Sequence, residues 1–145
     1  MANKSMFLGQ SSEYKILSML LAEGREVYLP TVDDHGVDAL VLTRSYEPNA
    51  PRIYQELQIK SLTEGGLFAA ISCPNPRPNY WFVFYVKQHD TIWLINSVDF
   101  VKIASQNKNS MKPKNQGKYS LSLATNKSIC KLREQYIVTD FSKLP

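Results

Sequence analysis

Two strand-like runs set the strongest constraint on the fold: Tyr80-Trp-Phe-Val-Phe-Tyr-Val-Lys87 and Thr91-Ile-Trp-Leu-Ile95, either side of the turn Gln88-His89-Asp90. Aromatic and β-branched residues fit a pleated, half-buried surface, so this pair predicts a hairpin inside a sheet core. A chain organised around such a hairpin needs further elements to cover it. At 145 residues it is sized for one domain spanning 1–145, with 43% hydrophobic and 21% charged residues. That composition buries enough apolar surface to offset chain ordering and excludes disordered, collagen-like and repeat architectures.

The remaining elements supply the cover. A helix is expected from Ser12 to Ala22, capped by Ser11 or Ser12 and stopped at Gly24. Leu17 and Leu20 share its apolar stripe, with Leu21 beside them and Glu13 on the same stripe one turn earlier. That acid either points toward the core side or simply complements the helix N-terminus. Strands are expected at Glu26–Leu29, Val37–Thr43 and Ile53–Ser61, and Tyr119–Ala124 alternates like a further one. Ser97 is placed to cap a helix running to about Ser105. Gln106–Gly117 is an Asn/Lys-rich loop, and Ser128–Tyr136 reads as a closing helix. The order predicts an α/β (α+β) protein with a mixed sheet and helices packed against it.

The longest apolar run, Ile16–Ala22, is interrupted by Ser18 and falls far short of the roughly 20 residues of a membrane span. With no signal-peptide pattern, a soluble, cytoplasmic protein is expected. Cys73 and Cys130 lie far apart and read as reduced packing thiols. His35 and His89 are too few and too separated for a multi-histidine zinc site.

Net charge is +4 and unevenly spread. Eight basic residues and no acid lie between Lys102 and Arg133, so that segment carries +8 and the rest −4. Such a stretch suits a polyanion, whose condensed counterions are released on binding, or is a solvated lysine-rich face. Lys102, Lys108, Lys112, Lys114 and Lys118 are the candidate phosphate contacts.

Ile53-Tyr-Gln-Glu-Leu-Gln-Ile-Lys-Ser61 alternates sharply: Ile53, Leu57 and Ile59 take one face, Glu56, Gln58 and Lys60 the other. Two oxygen-bearing side chains and a cation stand in a row on a stiff element, as a wet strand face or as a site. Upstream, Asp38 opens an apolar strand, Val37-Asp-Ala-Leu-Val41, behind Gly36. A carboxylate in such surroundings needs a cation or hydrogen-bond donors.

In order along the chain, Glu13, Gly36-Val37-Asp38 and Gln58-Ile59-Lys60 resemble the signature of the PD-(D/E)XK nuclease superfamily. The Gln-x-Lys form is most similar to the branch of Mrr-type restriction endonucleases and Holliday-junction resolvases. The resemblance covers about the first 60 residues. It implies a restriction-endonuclease-like three-layer fold and a catalytic set of Glu13, Asp38, Gln58 and Lys60. It also implies Mg²⁺ or Mn²⁺ held by Asp38, Gln58 and the main-chain carbonyl of Ile59, with Glu13 direct or through water. Gln58 stands where many members carry an acid, and Val37 where many carry proline; Glu13 or Glu56 would restore the charge. The implied activity is hydrolysis of DNA phosphodiester bonds, with Lys60 orienting the water or stabilising developing charge, unless it only salt-bridges Asp38 or Glu56. Duplex or branched DNA and a second copy of the chain are the implied partners. The alternative is a nuclease-fold DNA-binding or assembly module that does not cut.

Overall fold

The computed structural model describes residues 3–32, 36–44, 47–62, 68–108, 111, 113, 116–123 and 133–145. Helix α1 (Lys4–Ala22) begins a full two turns before the expected start. Its cap is Asn3, whose side chain accepts the Ser5 N–H at 3.2 Å. The early turns carry no apolar period, so hydrophobic patterning missed them. Ser12 is a buried interior residue that donates back to the Leu8 carbonyl, not a cap. Gly24, at φ +75°, ends the helix as expected.

Six strands form the main sheet in the order β1 (Val27–Tyr28), β2 (Ala39–Leu42), β3 (Tyr54–Leu62), β5 (Tyr80–Val86), β6 (Thr91–Asn96) and β9 (Ile137–Val138). Every neighbouring pair is antiparallel except β3 and β5, which run parallel from Glu56↔Tyr80 to Leu62↔Val86. A smaller antiparallel sheet joins β4 (Phe68–Ile71), β8 (Tyr119–Ser122) and β7 (Ser105–Gln106). The expected hairpin is the β5–β6 pair, turned by a short 3₁₀ segment at Lys87–His89 and by Asp90 in the left-handed region.

The main sheet is buried on both faces. Ile16, Leu17 and Leu20 of α1 pack against Ala39, Val41, Leu57, Val83, Leu94 and Phe141. The opposite face buries Phe82, Phe84, Trp93 and Ile95 beneath Ala69, Ile71 and Leu121 of the small sheet and Phe100 of helix α2 (Ser97–Ile103). Each large side chain so enclosed contributes about 1.5–3 kcal/mol. Lys15 ties α1 to the hairpin turn, donating to Asp90 at 2.5 Å and to the Tyr85 hydroxyl at 3.0 Å.

Several local expectations are corrected. Asn96, not Ser97, caps α2 by accepting the Val98 N–H, while the Ser97 hydroxyl bonds the Arg77 main chain. Ser105 belongs to a strand rather than to the helix, and Gln106 to that strand rather than to the loop, because they close a hairpin arm with β8. Strand β4 was not anticipated: Phe-Ala-Ala-Ile is short and alanine-rich, with weak strand preference of its own. The end of the expected closing helix is a 3₁₀ turn, Glu134–Tyr136, running into β9; its residues 128–132 lie outside the described residues. Ile53 is exposed ahead of β3, and Cys73 is exposed rather than packed. Cys130 and His35 lie outside the described residues.

Candidate active site

The site is set by the point where β2 and β3 part. Their antiparallel ladder ends at Ala39↔Leu57, and the Asp38 N–H still donates to the Leu57 carbonyl at 2.8 Å. That bond goes to the residue already paired with Ala39, so the regular register is not continued at Asp38. Instead of continuing the ladder, the Asp38 side chain turns onto β3, and its Oδ2 accepts the Ile59 N–H at 2.6 Å. A residue's N–H and C=O project to the same side of a strand, so the Ile59 carbonyl faces this edge as well.

As the alternation predicts, Leu57 and Ile59 pack on the α1 side, and Glu56, Gln58 and Lys60 project to the other face. The Gln58 Oε1 accepts from the Tyr80 hydroxyl at 3.0 Å. Its amide lies against Gly36, where a Cβ would stand 2.8 Å from Nε2. Glycine at this position therefore serves both a positive φ of +79° and the close approach of Gln58.

The Lys60 Nζ donates to the Ala70 carbonyl of β4 at 2.9 Å. Burial, and next the positive charge of Lys118, push its pKa below the ordinary lysine value, with Asp38 acting the other way. Lys60 is thus electrostatically coupled both to the expected metal ligand and to a residue of the basic segment. Among the described residues it forms no ion pair with Asp38 or Glu56.

Glu13 is half-buried on α1 and shares a cleft with Asp38, Gln10, Tyr14 and Val37. Gln58 and Lys60 line a second cleft with Gly36, Ser72, Cys73 and Asn75. The segment Gly36-Val37-Asp38 borders both. The structure therefore sets Asp38 with Glu13 in one cleft and Gln58 with Lys60 in the other, joined where the Asp38 carboxylate accepts the Ile59 N–H. Glu56 is held by Arg77, whose Nε and Nη2 both lie 2.5 Å from one carboxylate oxygen.

Of the candidate phosphate contacts, Lys118 sits half-buried at the foot of the β7–β8 arm, beside Lys60 in electrostatic reach. Lys108 is exposed on that arm, held by the Asn107–Lys118 and Gly117–Asn107 main-chain bonds. Lys102 is exposed on α2 and 3.8 Å from Asp99. Lys112 and Lys114 lie outside the described residues.

Sequence reasoning missed Tyr80 and Arg77. Tyr80 is 1% exposed, and burial pushes its hydroxyl pKa up to about 12. Arg77 stacks on its ring at 4.1 Å. The available signal was Tyr80's place at the head of an aromatic run that read wholly as core. Its partnership with Gln58 depends on parallel pairing of β3 and β5, which local patterning does not reveal.

Among the described residues no three His, Cys, Asp or Glu side chains converge as a metal cluster, so a cation here would also draw on amide and main-chain oxygens. No described helix is long and apolar enough to cross a membrane. No protein-family model and no curated protein matches the sequence. Solved structures do match in fold. A bacterial homing endonuclease, I-Ssp6803I, superposes with a TM-score of 0.55 at 15% identity, over 88% of this chain and 80% of that one. A nuclease from a fusselovirus superposes at 0.52 and 18% identity, over 87% and 89%. The chain thus has a mixed α+β fold, with a central mixed sheet and, among the described residues, two α-helices, similar to that of these nucleases.

Proposed function

We propose that the protein is a Mg²⁺- or Mn²⁺-dependent endonuclease that hydrolyses DNA phosphodiester bonds, built on the PD-(D/E)XK plan and working as a homodimer. The observation that carries this reading is the Asp38 carboxylate accepting the Ile59 N–H where β2 and β3 part, between Gln58 and Lys60, whose side chains share one face of β3. Likeness in fold to two nucleases supports it.

The donors fit a hard divalent cation: a carboxylate from Asp38, the Gln58 amide oxygen and the Ile59 carbonyl, with Glu13 across the Gly36–Asp38 segment. When bound, that ion would make a water more acidic and offset charge on the phosphate. The chain's own side chains do the rest. The Ile59 N–H fixes the Asp38 carboxylate on β3. Lys60 spends one of its three donors on Ala70 and keeps two for the attacking water or the non-bridging oxygens. Lys118, with the basic arm behind it, holds the neighbouring DNA phosphates.

Supercoiled, linear and four-way-junction DNA incubated with Mn²⁺ tests this. The wild type should nick or cut, and Asp38→Ala and Lys60→Ala should each lose about a hundredfold or more in rate. Equal cutting by all three proteins removes the assignment. A second reading, a DNA-binding module that does not cut, is favoured by Gln58 and Lys60 being satisfied within the chain by Tyr80 and Ala70. It requires salt-dependent binding with no turnover in that experiment.

A further inference from the structure

We propose that Tyr80 is a positioning residue that fixes which end of the Gln58 amide is presented as oxygen, an arrangement needed because this chain carries an amide at that position. The inference rests on the metal-binding reading of Gln58 and goes beyond it to a residue outside the signature. A carboxylate offers two equivalent oxygens, so either rotamer presents an acceptor to a cation. An amide offers an oxygen at one end and two N–H donors at the other, and a half-turn of its terminal torsion exchanges them. The wrong end would turn N–H groups toward a cation.

Two contacts bias that half-turn. The Tyr80 hydroxyl donates to Oε1 at 3.0 Å, leaving the second lone pair of that oxygen available. The competing acceptor for the same proton, the Gly36 carbonyl, is longer at 3.4 Å. The whole amide end packs into the space left by the missing Gly36 side chain, with Nε2 the nearest atom. Tyr80 is itself immobilised. The residue is 1% exposed, and its ring meets Phe82 edge to face at 5.0 Å and lies under the Arg77 guanidinium, which Glu56 and the Asn75 carbonyl hold in place. The Arg77 main chain is in turn bonded to Ser97 at the start of α2. A phenol so fenced keeps its hydroxyl at the Gln58 amide, where Oε1 is the nearer of its two acceptors.

The discriminating experiment compares Tyr80→Phe in two backgrounds. Mn²⁺ is titrated calorimetrically into the wild type, Tyr80→Phe, Gln58→Glu and the double variant, and the Gln58 side-chain amide signals of the metal-free protein are followed by NMR. Losing one neutral hydrogen bond that orients the amide should weaken Mn²⁺ binding about five- to tenfold in the Gln58 background. In the Gln58→Glu background, where the two carboxylate oxygens are equivalent, the same substitution should change affinity less than about twofold. A ring that merely fills the core would act equally in both backgrounds, and an equal effect overturns the proposal. So does tighter binding by Tyr80→Phe, which would mean that the hydroxyl withholds the oxygen. If the wild type takes up no Mn²⁺, the nuclease reading falls, and the amide signals still decide the orientation. Sharp amide signals in the wild type that broaden by exchange in Tyr80→Phe support it, and unchanged signals refute it.

Discussion

Replacing Gly36 with alanine tests the local geometry of the site through stability alone. The residue sits at φ +79°, a region that costs an L-amino acid with a side chain about 1–2 kcal/mol. The new Cβ would also fall 2.8 Å from Nε2 of Gln58, closer than a real Cβ approaches another heavy atom, and a tight 3.1 Å from its Cδ. Gln58 must shift and surrender its bond from Tyr80, a further loss of about 1 kcal/mol. The total is about 2–3 kcal/mol. Urea slopes for small proteins are about 1–3 kcal/mol/M, so the unfolding midpoint should fall by roughly 0.7–3 M. The two contributions separate in a Gln58→Ala background, where only the backbone strain remains and the penalty should shrink by about 1 kcal/mol. An identical midpoint drop in both backgrounds would refute the Gly36–Gln58 contact, and a total below about 0.5 kcal/mol would refute the strain as well.

Lys60→Met should abolish cleavage while leaving the thermal midpoint unchanged or higher, because burial and Lys118 already disfavour the ammonium in the folded chain. A stability loss above roughly 1 kcal/mol would make Lys60 a structural residue instead. Tyr80, with a folded pKa raised from 10.0 to about 12, holds its proton to higher pH than the unfolded chain does. Its contribution is therefore complete below pH 10 and lost as pH rises from 10.0 toward about 12. Urea midpoints measured across that window should fall more steeply for the wild type than for Tyr80→Phe, and parallel curves would contradict the burial argument.

The parts of the fold governed by short-range periodicity were legible. The β5–β6 hairpin, the two-faced β3 and the apolar stripe of α1 all follow from side-chain spacing. So does the placement of Asp38 and Gln58 on neighbouring segments of chain. What escaped was set by contacts distant in sequence. The first turns of α1 are held by Asn3 rather than by apolar burial, and β4 exists because β8 pairs with it. Arg77 and Tyr80 join the site only because β5 lies parallel to β3, a choice encoded in no single segment. The Arg77 guanidinium on Glu56, the second candidate after Glu13 for the additional acid, likewise comes from a residue distant along the chain.

The parallel pairing of β3 and β5 has a consequence for how such a protein diversifies. Adjacent strands running the same way cannot be linked by a tight turn, so between Leu62 and Tyr80 the chain must travel back along the sheet before β5 begins. That obligatory return path supplies Ser72, Cys73 and Asn75 to the cleft beside Gln58 and Lys60. None of those three belongs to the main-sheet ladder. Substitutions there can reshape what the cleft admits while the strand carrying Gln58 and Lys60 keeps its register, so on the proposed nuclease reading substrate preference and the cation-binding edge are free to change at different rates.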